Sequence, residues 1–131
     1  LALSFQMEGL VTGESSTFAD WTLDANNGIQ ITSGASDFTF TQEAAGVVDS
    51  VTGGSYTSGV NTPFNFASTH ASTLVAAAVD GTSLTPDTTP TALPDLSATT
   101  FELAPTFNGF IKTFRVWADD IGDTGIAEAS T

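Results

Sequence analysis

The chain has 131 residues, no cysteine, and 15 acidic side chains against two basic ones, which gives a formal net charge of −13. The missing cysteine excludes disulfides and thiolate metal sites, and the scarcity of Lys and Arg excludes phosphate-directed binding of nucleic acid. Hydrophobic residues make up 40% of the chain. This suffices for one packed domain, residues 1–131, although no apolar run approaches the roughly 18 residues that cross a bilayer.

Alternating apolar and polar residues recur along the chain between turn signals, which is typical of an all-β sandwich. The chain enters such a stretch at once, with Leu1, Leu3 and Phe5 on one predicted strand face. Because it begins with Leu rather than Met, we expect it to be a segment of a longer polypeptide. Residues 18–23 predict the next strand, in which Phe18 and Trp21 are out of phase unless a bulge intervenes.

The asparagine–glycine turn at residues 26–28 predicts a hairpin, since Asn and Gly tolerate a positive φ. Prolines 86, 90 and 94 predict a loop at residues 85–94, because proline removes a ladder donor. The further predicted strands occupy residues 28–32, 37–41, 47–51, 64–66, 72–79, 82–84, 96–103 and 107–117.

The ten phenylalanines are interpreted as core residues of two packed sheets. In the last strand one alternating face is predicted to lie against the core and the other against a partner or a short C-terminal segment; the two faces are Phe110, Lys112, Phe114 and Val116, and Ile111, Thr113, Arg115 and Trp117. Residues 119–131 are the helix candidate, with Asp123 as its cap and Ile126 directed back towards the sheet. An irregular tail is the alternative interpretation.

Catalytic and metal-binding chemistry is weakly represented. Asp20 and Asp24 lie four apart and flank Trp21, but we interpret them as solvated charges rather than as a glycosidase pair. His70, the single histidine, is expected at a loop or edge with one hydrogen bond, not in a triad. Asp119 and its acidic neighbours at 120 and 123 could supply oxygen ligands to calcium, but they lack EF-hand spacing. The sequence therefore predicts no catalytic residue, no metal site and no cofactor.

Sugar binding is the chemistry that the aromatic residues allow, because a ring flanked by polar groups can stack on a sugar. Trp21 is a candidate platform, and Tyr56 lies in a Gly/Ser-rich loop where an exposed ring is expected. Asp80, in an Asp-Gly turn, is the third predicted ligand-binding residue. Trp117 is interpreted as core. A neutral glycan fits the negative charge better than an acidic one.

Two segments of the second half stand out together: the hairpin at residues 79–82, Val-Asp-Gly-Thr, and the strand at residues 108–117, Asn-Gly-Phe-Ile-Lys-Thr-Phe-Arg-Val-Trp. Together they resemble the corresponding hairpin and closing strand of concanavalin-A-like (laminin-G-like) jelly-roll domains. The resemblance implies a two-sheet antiparallel sandwich with a short helical turn near the C-terminus, and a bulge or positive φ at Gly109. It also implies that the strand pairing with the last one is missing before Leu1.

Thr/Ser/Gly-rich versions of this domain are similar to modules carried by bacteriophage particles. The resemblance therefore implies a non-catalytic module at the virion surface, on a tail fibre, tail tip or capsid, that adheres to neutral cell-surface glycan. The alternative is a structural virion piece that binds other virion proteins, and a glycoside hydrolase is a distant third. We expect a homo-oligomer, because virion appendages are symmetric, and no membrane insertion.

Overall fold

The computed structural model describes residues 2–13, 17–57 and 61–131. Their strands are β1 (Ala2–Val11), β2 (Thr17–Asp24), β3 (Asn27–Ser33), β4 (Phe38–Ala44), β5 (Val47–Gly53), β6 (Thr62–Ala71), β7 (Val75–Val79), β8 (Thr82–Ser83), β9 (Glu102–Leu103) and β10 (Gly109–Trp117). Within this part of the chain they form two antiparallel five-stranded sheets, in the orders β10-β1-β6-β7-β8 and β5-β4-β3-β2-β9. The fold is the predicted two-sheet sandwich.

The core lies between the two sheets, and phenylalanine is its most frequent buried residue. Six phenylalanines are buried: Phe5, Phe18, Phe38, Phe40, Phe64 and Phe66. They contribute to one hydrophobic cluster that joins both sheets, in which the Phe18 ring contacts rings from each layer at centroid separations of 5.1–5.5 Å. Edge-to-face packing at such distances adds to the free energy of simple area burial. The prediction that phenylalanine forms the core is confirmed for these six.

The sequence left open whether a bulge brings Phe18 and Trp21 into phase. The register between β2 and β3 shifts between Thr17 and Ala19, and this bulge brings Phe18 and Trp21 to the same side. The predicted Asp-Gly turn is confirmed. Asp80 and Gly81 have positive φ and close the hairpin from β7 to β8. Residues 72–74 differ from prediction, since Ala71 N–H donates to the Leu74 carbonyl in a turn before β7.

The strand predicted at residues 96–103 is largely wrong. Only Glu102–Leu103 pairs, as β9 against β2. The loop predicted for residues 85–94 instead continues to about residue 101, and Thr99 N–H donates to the Leu96 carbonyl within it. Apolar residues in this segment cover the sandwich as a loop rather than joining a ladder.

The last strand is also less buried than predicted. Phe114 packs against the core, but Val116 is 49% exposed and Phe110, the outlier among the ten phenylalanines, is 71% exposed. Trp117 is half-buried and lies outside both core clusters. The expectation of a missing partner strand is wrong as well, because β1 pairs with β10 from Ser4 to Val11.

A short helix, α1 (Gly122–Ala129), packs on the outer face of the first sheet. Ile126 is buried there against Ala67, Ala76 and Ala78, which confirms the prediction that it points back towards the sheet. Asp123 is not the cap, because Ile121 holds the N-cap position and no side chain caps it. In the described residues, no helix combines the length and apolarity that a bilayer crossing requires.

Candidate functional site

A cleft of about 420 Å³ opens at one end of the sandwich, where the proline-rich loop crosses the gap between the sheets. Its size is that of a small-ligand site. The first sheet supplies Leu3, and the second sheet supplies Trp21. The remaining lining residues come from the β6–β7 turn and the loop, and they are Ser72, Leu93, Pro94, Asp95, Leu96 and Ser97. We call this site the Trp21 cleft.

The loop that walls the Trp21 cleft is held against both sheets by hydrogen bonds. Asp87 exchanges backbone hydrogen bonds with Val75 of β7. Thr91 N–H donates to the Asp49 carboxylate on β5 at 2.8 Å, and the Thr99 hydroxyl donates to the Thr22 carbonyl on β2 at 3.0 Å. Anchors to three strands make this loop a fixed wall of the cleft.

Gln42 is the buried side chain that ties two walls of the cleft together. Its Nε2 donates to the Ala71 carbonyl at 3.0 Å and to the Ala92 carbonyl at 2.7 Å. Each acceptor immediately precedes a lining residue, Ser72 in one case and Leu93 in the other. Gln42 is fully buried, so the hydrogen bonds form away from competing water.

Gln42→Ala is expected to lower the free energy of unfolding by about 2–3 kcal/mol, because the buried Ala71 carbonyl and the part-buried Ala92 carbonyl lose their donor. It should also speed limited proteolysis within residues 85–100. Gln30→Ala is the matched control, since Gln30 donates to Asp20 on a half-buried outer surface, and it should cost under about 1 kcal/mol. Urea unfolding and proteolysis measure both effects. If both variants lost the same free energy of unfolding and the loop were cleaved no faster in Gln42→Ala, Gln42 would not be what holds the loop.

Trp21 is half-buried, and its indole forms part of the cleft wall. The ring meets Phe101 edge-on at a centroid distance of 6.1 Å, and Nε1–H donates weakly to the Thr99 carbonyl at 3.4 Å. The polar end of the indole is therefore held by the loop while part of the ring borders the cleft. The cleft therefore has a fixed aromatic surface, and Trp21 is the one of the three predicted ligand-binding residues that lines it.

Asp95 and Ser97 supply the polar side of the cleft. Hydrogen bonds from the Ser97 hydroxyl and backbone N–H lower the pKa of Asp95, which stays ionised through neutral and mildly acidic conditions. Lys112 and Arg115, the two basic residues of the chain, lie on β10 and do not line the cleft. The site therefore offers an anionic acceptor and apolar walls, which favour a neutral ligand over an acidic one.

The other two predicted ligand-binding residues are not part of this cleft. Tyr56 is only 3% exposed; its ring packs on Phe38 and its hydroxyl donates to the Gly13 carbonyl. The expectation of an exposed ring is wrong, because the Tyr56 side chain packs into the hydrophobic core. Asp80 is exposed, but it lies near the other end of β6, where its carboxylate accepts the Asn65 N–H.

The remaining polar candidates have local structural partners. Asp20 accepts hydrogen bonds from Thr22 and Gln30, and the backbone N–H of Asn26 lowers the pKa of Asp24. Asp119 and Asp120 each accept a backbone N–H ahead of α1. Across residues 2–13, 17–57 and 61–131, no group of three or more His, Cys, Asp or Glu side chains is arranged to hold a metal ion.

His70 is neither at a loop nor at an edge. It lies on β6, the central strand of its sheet, and is fully buried. Its Nε2 is 3.2 Å from the Ser68 hydroxyl and its ring meets Phe5 edge-on, whereas Nδ1 has no partner in the described structure. Burial lowers the pKa of His70 to about 3. Without access to solvent or to a cleft wall, this side chain has a structural role.

Of the residues that line the Trp21 cleft, sequence reasoning singled out Trp21 as a ligand-binding candidate and did not single out the others. Leu93, Leu96 and Asp95 belong to a run that reads as a proline-rich loop followed by a strand. The usable signal was the apolar content of that loop, since two leucines beside Pro94 are unusual for a solvent-exposed connection. Apolar residues in a loop are expected to pack against the rest of the domain and not to face solvent.

In comparisons with known proteins, this chain is similar to solved structures in fold. No family model and no curated protein matches the chain. Among solved structures, the Ruminococcus gnavus IT-sialidase CBM40 bound to α2,6-sialyllactose has a TM-score of 0.72 at 10% identity, with 99% of this chain and 82% of that one covered. The binding domain of botulinum neurotoxin DC in complex with SialylT has a TM-score of 0.70 at 15% identity, with 97% and 34% covered.

Mouse laminin α1 domains LG4-5 are also similar, with a TM-score of 0.68 at 13% identity over 88% of this chain and 35% of that one. The chain thus spans about a third of the laminin and toxin structures. These likenesses define the fold as a lectin-like jelly-roll sandwich, as the two sequence segments suggested. By their names, the toxin neighbour is a binding domain, and the CBM40 neighbour is bound to a sialylated sugar.

Proposed function

We propose that this domain is a non-catalytic glycan-binding module, and that the Trp21 cleft holds a neutral sugar. The observation that carries the proposal is the composition of the cleft: a fixed indole, apolar walls, and an ionised Asp95 beside two serines. Sugars present C–H faces to aromatic rings and hydroxyl donors to carboxylates. The names of two solved neighbours, which record complexes with sialylated ligands, support the glycan class but not an acidic sugar here.

We further propose that the module serves on the surface of a bacteriophage particle, in a tail fibre, tail tip or capsid decoration. Support comes from the Thr/Ser/Gly-rich sequence and the resemblance noted above. The second candidate is a structural virion piece that binds other virion proteins, and the exposed apolar strand β10 favours it. The two roles use different surfaces of the domain.

Ser72→Trp is expected to abolish glycan binding by filling the mouth of the Trp21 cleft from an exposed position. Thr73→Trp is the matched control, because Thr73 is the neighbouring exposed residue and does not line the cleft. Both variants should keep the wild-type melting temperature. The wild type is first screened on an array of neutral and sialylated glycans, and the strongest neutral hit is then titrated calorimetrically.

The expected result is at least a tenfold loss of affinity for Ser72→Trp, about 1.4 kcal/mol or more, with Thr73→Trp unchanged. Equal loss in both variants would place the site elsewhere. A wild-type protein that binds no neutral glycan, or only sialylated ones, would overturn the proposed ligand.

A further inference from the structure

The Trp21 cleft lies at a level of the sandwich that the strand registers define. In the second sheet, a row of directly opposite residues runs from the cleft to the sheet edge: Trp21, Ile29, Gln42 and Asp49. In the first sheet, the row that begins at the cleft is Leu3, His70 and Val75, and Asp87 joins it by exchanging backbone hydrogen bonds with Val75. Burial lowers the pKa of His70 to about 3, so the ring brings no positive charge to this level at neutral pH.

Three carboxylates lie near this end of the sandwich. Asp95 lines the cleft itself. Asp49 accepts the Thr91 N–H of the loop at 2.8 Å, and Asp87 accepts the Thr89 N–H at 2.9 Å. A backbone donor does not cancel the charge of a carboxylate, and in the described residues none of the three forms a salt bridge. Their charges therefore remain uncompensated.

The two basic residues of the chain lie away from the cleft. Lys112 pairs with Glu8, which follows Leu3 by five residues on β1, about 17 Å along the strand. Arg115 lies opposite Gln6, which is on the other face of β1 from Leu3 because side chains alternate along a strand. The carboxylates thus set a negative potential at the cleft, and its apolar walls concentrate that field.

A small organic cation is the ligand that this cleft suits best. The indole of Trp21 attracts a cation through its π electrons, and the ionised Asp95 carboxylate pairs with the same charge. Asp95 is exposed, so an ammonium group bound beside it keeps part of its hydration and avoids the cost of full burial. The leucine and proline walls take an apolar ring face next to the charge.

We infer that the sugar bound most tightly in the Trp21 cleft is an amino sugar whose amine is free and protonated. Its ammonium group lies between the Trp21 indole and the Asp95 carboxylate, and its hydroxyls reach Ser72 and Ser97. The inference rests on the function proposed above and adds a charge to the ligand, since neutral sugars use the same walls but lack the ion pair. A lysine side chain carries the same charge but no hydroxyl for the two serines, which favours the sugar. The partner is therefore a glycan with free amino groups.

An NMR titration of the Trp21 indole N–H signal, assigned with Trp21→Phe, tests this ligand class. The probes are methyl glycosides with a hydroxyl, acetamido or free amino group at C2, each in the gluco, galacto and manno configurations. At about pH 6 the amine is protonated. At low salt the free amino form should bind at least about fivefold more tightly than its two matched partners. Raising NaCl to about 1 M, where the Debye length is about 3 Å, should remove most of this preference.

Asp95→Asn separates the ion pair from the general negative charge of the chain. It keeps a side-chain oxygen to accept the Ser97 N–H, so the turn in the loop is retained. The amino and hydroxyl sugars should then bind within about twofold of each other. Asp24→Asn is the matched control, because Asp24 accepts the Asn26 N–H in the same way, is exposed, and does not line the cleft. It changes the net charge equally and should keep the preference of about fivefold.

An amino sugar that binds no more tightly than its hydroxyl partner would overturn the inference and leave the proposed neutral-glycan function standing. Loss of the preference in Asp24→Asn as well would also overturn it, because the net charge and not the cleft would then be the cause. Binding of Nα-acetyl-lysine methylamide as tightly as the amino sugar would replace the sugar with a protein side chain. If none of these probes and no glycan on the array binds, the proposed function fails together with the inference.

Discussion

Gly109→Ala is expected to destabilise the domain by about 3 kcal/mol or more, although it adds a single methyl group. A Cβ atom at Gly109 would lie 2.0 Å from the Leu10 carbonyl oxygen and 2.8 Å from the Phe107 ring. The carbonyl belongs to the backbone of β1, which is fixed by β6 on its other side. The clash therefore has no flexible side chain to relieve it, and β10 must separate from β1 at this end.

Gly122→Ala is the control that separates the clash from backbone strain. Gly122 has φ +70°, but a Cβ atom there meets nothing within 4 Å. Its substitution should cost only the left-handed strain of about 1–2 kcal/mol. Gly109→Val should be no milder than Gly109→Ala, since the first carbon already collides. Urea unfolding followed by tryptophan fluorescence measures the loss. A Gly109→Ala protein as stable as wild type would contradict the β1–β10 pairing.

Much of the sandwich could be predicted from the sequence, because a strand with one buried face alternates apolar and polar residues. The run from Leu3 to Met7, the alternation from Phe38 to Gln42, and the Asp80-Gly81 turn all describe local chemistry. Each depends only on neighbours in sequence. The mismatch in phase between Phe18 and Trp21 was visible for the same reason, but the sequence left open whether a bulge corrects it.

The parts that sequence missed depend on contacts between distant segments. Residues 96–103 have apolar content suited to a strand, yet Leu96 is buried by covering the sandwich end. Tyr56 was predicted to be exposed because its neighbours in sequence are small and polar. Its ring instead packs on Phe38 and its hydroxyl donates to the Gly13 carbonyl, both of which are distant in sequence. Val116 is exposed because β9, at the facing edge of the other sheet, is short. The sequence around Val116 cannot predict the length of that strand.

His70 is the residue whose position sequence predicted least well, and it gives the domain a built-in acid sensitivity. Its ring is enclosed by Phe5 and Ser68, and burial lowers its pKa from 6.5 to about 3. In the unfolded chain the same imidazole protonates near pH 6.5. Between these two values the unfolded state binds one more proton than the folded state. The free energy of unfolding therefore rises with pH across this window and is fully present above it.

Below pH 6.5, His70 is thus expected to reduce stability by up to about 1.4 kcal/mol per pH unit. His70→Leu should abolish this contribution, whatever its own stability at neutral pH. Protonation of the many surface carboxylates acts on both proteins, so the difference between their urea-unfolding curves from pH 7 to pH 4.5 isolates the histidine. As the single imidazole of the chain, His70 gives one set of ring proton signals in NMR, and these should not titrate in the folded protein across that range. A folded-state midpoint near pH 6.5 would contradict the burial of the His70 ring.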